Sequence, residues 1–334
     1  IDMGNVFHDA LKYFSDTVEK SEYGWFRVPE DKRTEWMEQA LERALESCAE
    51  KGLTEQASDA YVVERMKRIG QRTAWAFLEQ LKKGTFLPEQ TEVSFRNLEQ
   101  LSSVSLLLSE EERMRLQGRI DRIDVCREEG NLYVRVIDYK SGAQRFDLTS
   151  IYYGLQLQLA VYLNAAMELE QRNGVETVHP AGMFYYHIQD PMLDYEEEED
   201  PALRILKELA FNGIVNGDPE IIKRMDKEAE NGSSLLPVRF KKGGGYSASS
   251  SVAEEDQLLR LSRHVKRKLS RYGEEILNGN ISLSPYELRE EDACRFCSYH
   301  SVCGFDSRLE GCEKRQLEPL EKEEIWKKLE EEES

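Results

Sequence analysis

Two aspartates and a lysine are the residues whose types and spacing promise chemistry. Asp138 and Lys140 stand two apart in Val136-Ile137-Asp138-Tyr139-Lys140, a run rich in β-branched and aromatic residues, so on a strand both side chains leave the same face. Residues 115–125 form a second such run, which contains Asp121. The two are joined by Arg127-Glu128-Glu129-Gly130-Asn131, a polar, glycine-containing stretch suited to a hairpin turn. A hairpin centred between Glu129 and Gly130 sets Asp121 opposite Asp138. Directly opposed side chains lie roughly 4.5–5.5 Å apart at Cβ, where two carboxylates repel. A divalent cation between them turns that cost into a site, and hard oxygen ligands suit Mg²⁺ or Mn²⁺. A lysine alongside can orient a water and stabilise charge developing on a phosphate. The same residues also read as a surface hairpin laced by cross-strand ion pairs, and spacing alone leaves both readings open.

The elements that must hold these strands follow from periodicity. Val6, Leu11, Phe14 and Val18, then Met37, Leu41, Ala44 and Leu45, recur at helical spacing, and residues 57–82 continue as a further helix. Strand patterns occupy residues 91–95, 115–125 and 132–139. After Ser141-Gly142 the pattern predicts one helix over residues 148–170 and a strand over 178–188. Residues 241–251, with Gly243-Gly244-Gly245 and a serine run, read as a flexible loop or linker. A basic helix over 252–277, a cysteine-containing segment and a charged tail helix complete the chain. Helices, then a β-meander, a long helix and another strand imply an α/β core: a mixed sheet flanked by helices.

Composition narrows the function classes. With 40% hydrophobic residues the chain can bury a substantial core. No stretch approaches the roughly 20 apolar residues that cross a bilayer, and no secretory signal pattern opens the chain, so the expected location is cytoplasmic with no membrane partner. The opening Ile1-Asp2-Met3-Gly4, without an initiator methionine, reads as a segment of something longer. A formal charge of -19 argues against a protein that coats nucleic acid. The acidic excess is concentrated at residues 194–200 and after Glu318, read as solvated surface or interaction segments. Lys223-Arg224, Arg239-Lys241-Lys242 and residues 260–271 are basic stretches able to line a groove.

Gly118-Arg119-Ile120-Asp121-Arg122-Ile123-Asp124 followed by Ile137-Asp138-Tyr139-Lys140-Ser141-Gly142 resembles the core of the RecB-like PD-(D/E)XK (restriction-endonuclease-like) nucleases. Gly4-Asn5-Val6-Phe7-His8 resembles that group's histidine motif, and Gln158-Leu159-Ala160-Val161-Tyr162 its QxxxY motif. The resemblance implies that His8, Asp121, Asp138 and the Tyr139 carbonyl hold Mg²⁺ while Lys140 orients the attacking water. It also implies that Gln158 and Tyr162, i and i+4 on one helical face, contact DNA near the scissile phosphate. Glu92, on the preceding strand, is a further candidate acid. Taken singly, His8 and the Gln158/Tyr162 pair are equally ordinary amphipathic-helix residues.

Cys294-Arg295-Phe296-Cys297-Ser298-Tyr299-His300-Ser301-Val302-Cys303 gathers three thiols in ten residues, a pattern of metal binding in a reducing compartment rather than of disulfides. Three thiolates complete neither a zinc nor an iron–sulfur site, which take four protein ligands. Cys312, Cys48, Cys126 and His300 are in-chain candidates for the fourth, with Cys48 and Cys126 read as plain buried thiols. The iron–sulfur members of the resembled group imply another answer: Cys294, Cys297 and Cys303 join a cysteine before the histidine motif, outside this chain, to hold a 4Fe-4S cluster. Structural Zn²⁺ is the alternative.

Cys-x2-Cys-x5-Cys together with Ser150-Ile151-Tyr152-Tyr153-Gly154-Leu155-Gln156-Leu157-Gln158 and the long helical insertion resembles the C-terminal nuclease domain of B subunits of AddAB-type helicase–nucleases. That implies a Mg-dependent exonuclease acting on single-stranded DNA from helicase unwinding, during double-strand-break end resection and recombinational repair. Its partner is a motor-bearing A subunit. No ATP-binding loop occurs: the glycines at 243–245 lack the spacing. The organisation expected is a nuclease core with helical insertion at 1–284, an iron–sulfur segment at 285–312 and an acidic tail helix at 313–334. Competing readings are a compact iron–sulfur exonuclease of CRISPR adaptation, disfavoured by the long His8-to-Asp121 gap, and a non-catalytic interaction module on a nuclease fold.

Overall fold

Apolar spacing builds the first layer as the sequence predicts. In the computed structural model, which describes residues 3–50, 60–128, 130–194, 200–229, 232–289, 291–295 and 297–333, helix α1 (Met3–Lys20) buries Val6, Phe7, Ala10, Leu11, Phe14 and Val18 along one face. Helices α2 (Glu30–Glu50) and α3 (Ala60–Lys82) complete this layer. The strands follow: β1 (Leu87–Ser94), β2 (Ser105–Leu107), β3 (Arg113–Arg115), β4 (Arg119–Glu128) and β5 (Asn131–Lys140). Then come α4 (Leu148–Tyr153), α5 (Gln158–Arg172), β6 (Thr177–His187), α6 (Pro201–Glu208), β7 (Asn212–Asn216), α7 (Pro219–Met225), β8 (Val252–Ala253) and α8 (Glu255–Leu277). The chain closes with β9 (Tyr286–Leu288), β10 (Glu291–Asp292), α9 (His300–Cys303), β11 (Arg315–Leu317) and α10 (Lys322–Glu331).

The main sheet has the order β1-β4-β5-β6-β7-β8, with β5–β6 and β7–β8 parallel and the other neighbours antiparallel. This is the expected mixed sheet flanked by helices. The β4–β5 register runs from Arg122↔Ile137 to Glu128↔Asn131, the hairpin centred between residues 129 and 130. A parallel β5–β6 pair demands a crossover, and α4 and α5 supply it. One apolar cluster, with Phe7, Met37, Phe77 and Ile137, joins α1 to α3 to one face of the sheet; another, with Val134, Ala165, Leu261 and Trp326, joins α5, α8 and α10 to the other. No helix among the described residues is long and apolar enough to cross a membrane.

Several expectations are corrected. The single helix predicted over 148–170 is two, because Gly154 caps α4 in the left-handed region with φ 86, and a Cβ there would come 2.0 Å from the Tyr272 hydroxyl. Helical periodicity carries across such a break because α4 and α5 bury similar residues. The predicted linker at 241–251 is a defined turn: Phe240 bridges Tyr246, Ser247 N–H donates to Arg239, and buried Ser250 Oγ donates to the same carbonyl. The tail after Glu318 is not wholly solvated, since α10 buries Ile325, Trp326 and Leu329. The basic run at 260–271 is largely neutralised, though Arg263 and Lys266 still line a small hollow against α5. Arg260, Arg263 and Arg267 on α8 pair with Glu330, Glu332 and Glu333 of the tail.

Candidate active site

Three neighbouring strands bring acids to one end of the sheet. β1 pairs with β4 through Thr91↔Arg122 and Val93↔Ile120, so Glu92 falls opposite Asp121. β4 pairs with β5 as far as Arg122↔Ile137, which puts Asp138 one step further along on the other side of Asp121. There the hairpin strands part, and Asp121 Oδ2 accepts the Tyr139 N–H at 2.7 Å. Each strand keeps its outer neighbour: Asp138, Tyr139 and Lys140 stay paired with Tyr185, Tyr186 and His187 of β6. Strict alternation also slips here, for Ile120 and Ile123, three apart, share one apolar cluster. Glu92 itself has φ 56, a left-handed conformation that a residue with a Cβ adopts under strain.

His8 reaches the acids from α1, whose buried residues fix its rotation over the sheet edge. Its Nδ1 lies 3.1 Å from Asp121 Oδ1 and 3.5 Å from Glu92 Oε1. One ligand atom from each of His8, Glu92 and Asp121 falls within 4.8 Å of the others. These are ion-pair contacts without hydrogen-bond alignment: His8 Nδ1, both Glu92 oxygens and Asp138 Oδ2 are buried without a hydrogen bond. Glu92 is held from behind by an ion pair with Arg119.

The electrostatics are those of anions crowded out of water. Burial pushes Asp138 up, Asp121 pushes it further and Lys140 pulls back, leaving it at about 7. Glu92 is likewise raised, by burial first, with Asp121 adding and His8 and Arg119 opposing. Burial disfavours the His8 imidazolium, yet Asp121 and Glu92 outweigh that and lift it to about 10. In the protein alone, then, His8 serves as counter-cation to the carboxylates. An imidazole nitrogen and buried, hydrogen-bond-deficient carboxylate oxygens fit a divalent cation of hard or borderline character.

Lys140 stands beside this cluster. Its Nζ is 2.6 Å from Asp138 Oδ2, donates to Gln158 Oε1 at 2.9 Å and lies 5.2 Å from the Tyr185 ring centre. Gln158 Nε2 in turn donates to the Tyr162 hydroxyl at 2.7 Å, so α5 contributes both residues from its first turns. His8, Glu92, Asp121, Asp138, Lys140, Gln158 and Tyr162 thus form one continuous set. Tyr139 takes part through its peptide; its buried hydroxyl accepts from Arg122 Nη1 at 3.4 Å on the α3 side. Sequence reasoning assigned no role to Arg119 or Tyr185. Arg119 lies inside the motif at residues 118–124, whereas Tyr185 is revealed only by the β5–β6 pairing.

The cysteines are placed differently. Cys294 and Cys312 are half-buried, Cys297 and Cys303 exposed, Cys48 and Cys126 buried, and all six are free of disulfides. Cys126 Sγ contacts Thr85 Oγ1 at 3.2 Å. Cys294, Cys297 and Cys303 share a segment of turns ending in α9, with His300 exposed at its start. Among the described residues their sulfurs are not gathered as the His8 group is.

A family model described as the PD-(D/E)XK nuclease superfamily matches residues 1–304. The chain is 38% identical over 337 residues to the B subunit of the ATP-dependent helicase/deoxyribonuclease of Lachnoclostridium phytofermentans, covering 97% of this chain and 28% of that protein. The corresponding subunits of Clostridium novyi and Caldanaerobacter subterraneus subsp. tengcongensis are 35% and 36% identical, over 98% and 99% of this chain and 29% of each relative. The chain therefore spans less than a third of the length of these curated relatives.

Proposed function

This chain belongs to the PD-(D/E)XK nuclease superfamily, and from that premise we propose that it is a Mg²⁺-dependent deoxyribonuclease cutting single-stranded DNA. Its relatives are named as B subunits of an ATP-dependent helicase/deoxyribonuclease, which supports a place in a helicase–nuclease with a motor-bearing partner, in cytoplasmic double-strand-break resection. The observation that carries the reading is the meeting of His8, Glu92 and Asp121 within 4.8 Å, one strand from the Asp138–Lys140 pair.

His8 Nδ1, Glu92, Asp121, Asp138 and the Tyr139 carbonyl would hold the cation, with Mn²⁺ as a substitute. Bound there, it supplies charge neutralisation and Lewis acidity at the phosphate. Lys140, fixed by Asp138 and Gln158, has a remaining N–H to orient a water toward phosphorus and to steady charge on a non-bridging oxygen. Gln158 and Tyr162, held by their mutual hydrogen bond, would position the strand from α5. Residues 285–312 form the second functional unit, beside the core at 1–284 and the tail at 313–334. Its soft sulfur ligands, Cys294, Cys297 and Cys303, suit a 4Fe-4S cluster or Zn²⁺ completed by a fourth ligand.

Asp138→Ala and Lys140→Ala test the assignment. Each is expected to lower Mg²⁺-dependent cleavage of end-labelled single-stranded DNA at least about 100-fold while leaving the thermal transition nearly unchanged. Metal-dependent cleavage retained by either purified variant would reject the site.

A further inference from the structure

The carboxylate site has a large groove for a neighbour. A groove of about 1130 Å³ lies under the loop that leaves β5. That loop begins directly after Lys140 and is tied down in three places. Gln144 Nε2 donates to the Tyr185 hydroxyl, the Gln144 carbonyl meets His187 Nε2 at 2.7 Å, and Phe146 N–H donates to Asn212 Oδ1. Tyr185 is the ring beneath Lys140, so the loop connects the site to the groove through fixed contacts. It delivers Arg145 to the groove wall, where Lys207 and Arg239 join it.

Charge in this groove runs against the whole molecule. The chain carries a formal charge of -19, yet the groove's two acids are already engaged. Glu228 pairs with Lys83 at 2.8 Å, and buried Asp226 accepts from Ser233 Oγ and the Glu228 N–H. Arg145 and Arg239 are exposed and make no ion pair among the described residues. Beside Arg239, Phe240 lines the groove half-exposed, its ring 5.2 Å from Tyr246. The turn they bracket closes through Lys241 N–H to the Gly245 carbonyl and has φ 106, 100 and 76 at its three glycines, leaving Lys241 and Lys242 exposed. Unpaired guanidiniums with an accessible aromatic ring are the components of sequence-independent single-strand binding: cations follow the phosphates and the ring stacks on a base.

We propose that this groove is a second binding surface for single-stranded DNA, in which Arg145 and Arg239 grip backbone phosphates of the strand that passes Lys140. The inference rests on the nuclease reading and names where its substrate extends. It gives the basic run at residues 239–242 and the glycine turn a common purpose.

The test is equilibrium binding of a fluorescein-labelled oligothymidylate to the full 334-residue chain in EDTA, across a salt series, with cleavage in Mg²⁺ measured in parallel. For Arg145→Gln/Arg239→Gln the slope of log K against log salt is expected to fall by about 0.7 per lost contact, and affinity roughly tenfold. Arg145→Lys/Arg239→Lys, which keeps the charge, should restore most of the slope. A glutamine variant with an unchanged melting profile and unchanged affinity and slope would overturn the proposal. So would wild-type chain that fails to bind the oligomer. Wild-type chain that binds with the expected slope but does not cut would remove the nuclease reading and leave the groove standing.

Discussion

Glu92 bears two costs at the scale of a single residue: a left-handed backbone and a carboxylate buried against Asp121. Ion pairs with Arg119 and His8 offset part of the burial cost, and the proposed cation would offset more. Two substitutions separate the costs. Glu92→Ala removes the carboxylate but keeps a Cβ at φ 56, while Glu92→Gly removes both. The glycine variant should therefore be the more stable by about 1 kcal/mol in urea unfolding. Both should need more Mg²⁺ for cleavage. An alanine variant as stable as the glycine one would show that the backbone is not strained. Asp121, Asp138 and Lys140 were legible from sequence because strand periodicity and a two-residue turn determine who faces whom. Glu92 was legible only as an acid on a neighbouring strand, since its left-handed turn has no glycine or asparagine to mark it.

At the scale of elements, the β4–β5 hairpin must part at Asp121 without coming apart. A buried ion cluster holds it just behind the fork. Arg122 donates through Nε and Nη2 to Asp124 at 2.6 and 2.7 Å, and Arg135, directly across the hairpin, donates through Nε at 2.9 Å. The two guanidiniums lie over Phe77 and Phe86. Burial alone would raise the Asp124 carboxyl, but Arg122 and Arg135 hold it below the usual carboxylate range. A carboxyl depressed in the fold contributes stability in full above its unfolded value, about 3.9, and loses it as pH falls through the lower folded value. Asp124→Asn should then cost about 3–5 kcal/mol near neutrality, because it leaves two buried guanidiniums facing a neutral amide. Its stability should also decline less on acidification than the wild type's. Equal pH profiles in urea unfolding would exclude this role. Sequence reading placed Asp124 in a motif yet found no function for it, since the cluster forms only when α3 covers that face. The α4–α5 break stayed hidden for a similar reason: Gly154 looks like any helical glycine until Tyr272 of α8 packs against it.

Across the whole molecule, the two apolar layers on the sheet differ in how they are closed. The layer of α1 to α3 is continuous in sequence and was readable from periodicity. The other needs α10, from the far end of the chain, to cover α4 and α8. A tail so rich in glutamate reads as solvated, because the residues that bury it, Ile325, Trp326 and Leu329, are few. Their charged neighbours misled in the same way. Glu332 meets buried His264 at 2.7 Å and Glu333 meets Arg263 at 2.7 Å, so acidic tail and basic helix neutralise one another, a match visible only in three dimensions. Such surface pairs contribute little singly. The apolar contacts should dominate, and the comparison can be made directly. Leu329→Ala, at a position 1% exposed, should cost about 2–5 kcal/mol in urea unfolding. Glu333→Gln, by contrast, should change stability by about 1 kcal/mol or less and become indistinguishable from wild type in high salt. A tail held by charge would give the reverse order. If Leu329→Ala proves silent, α10 adds little to the second layer, and α5, which carries Gln158 and Tyr162 to the site, rests on the sheet and α8 without it.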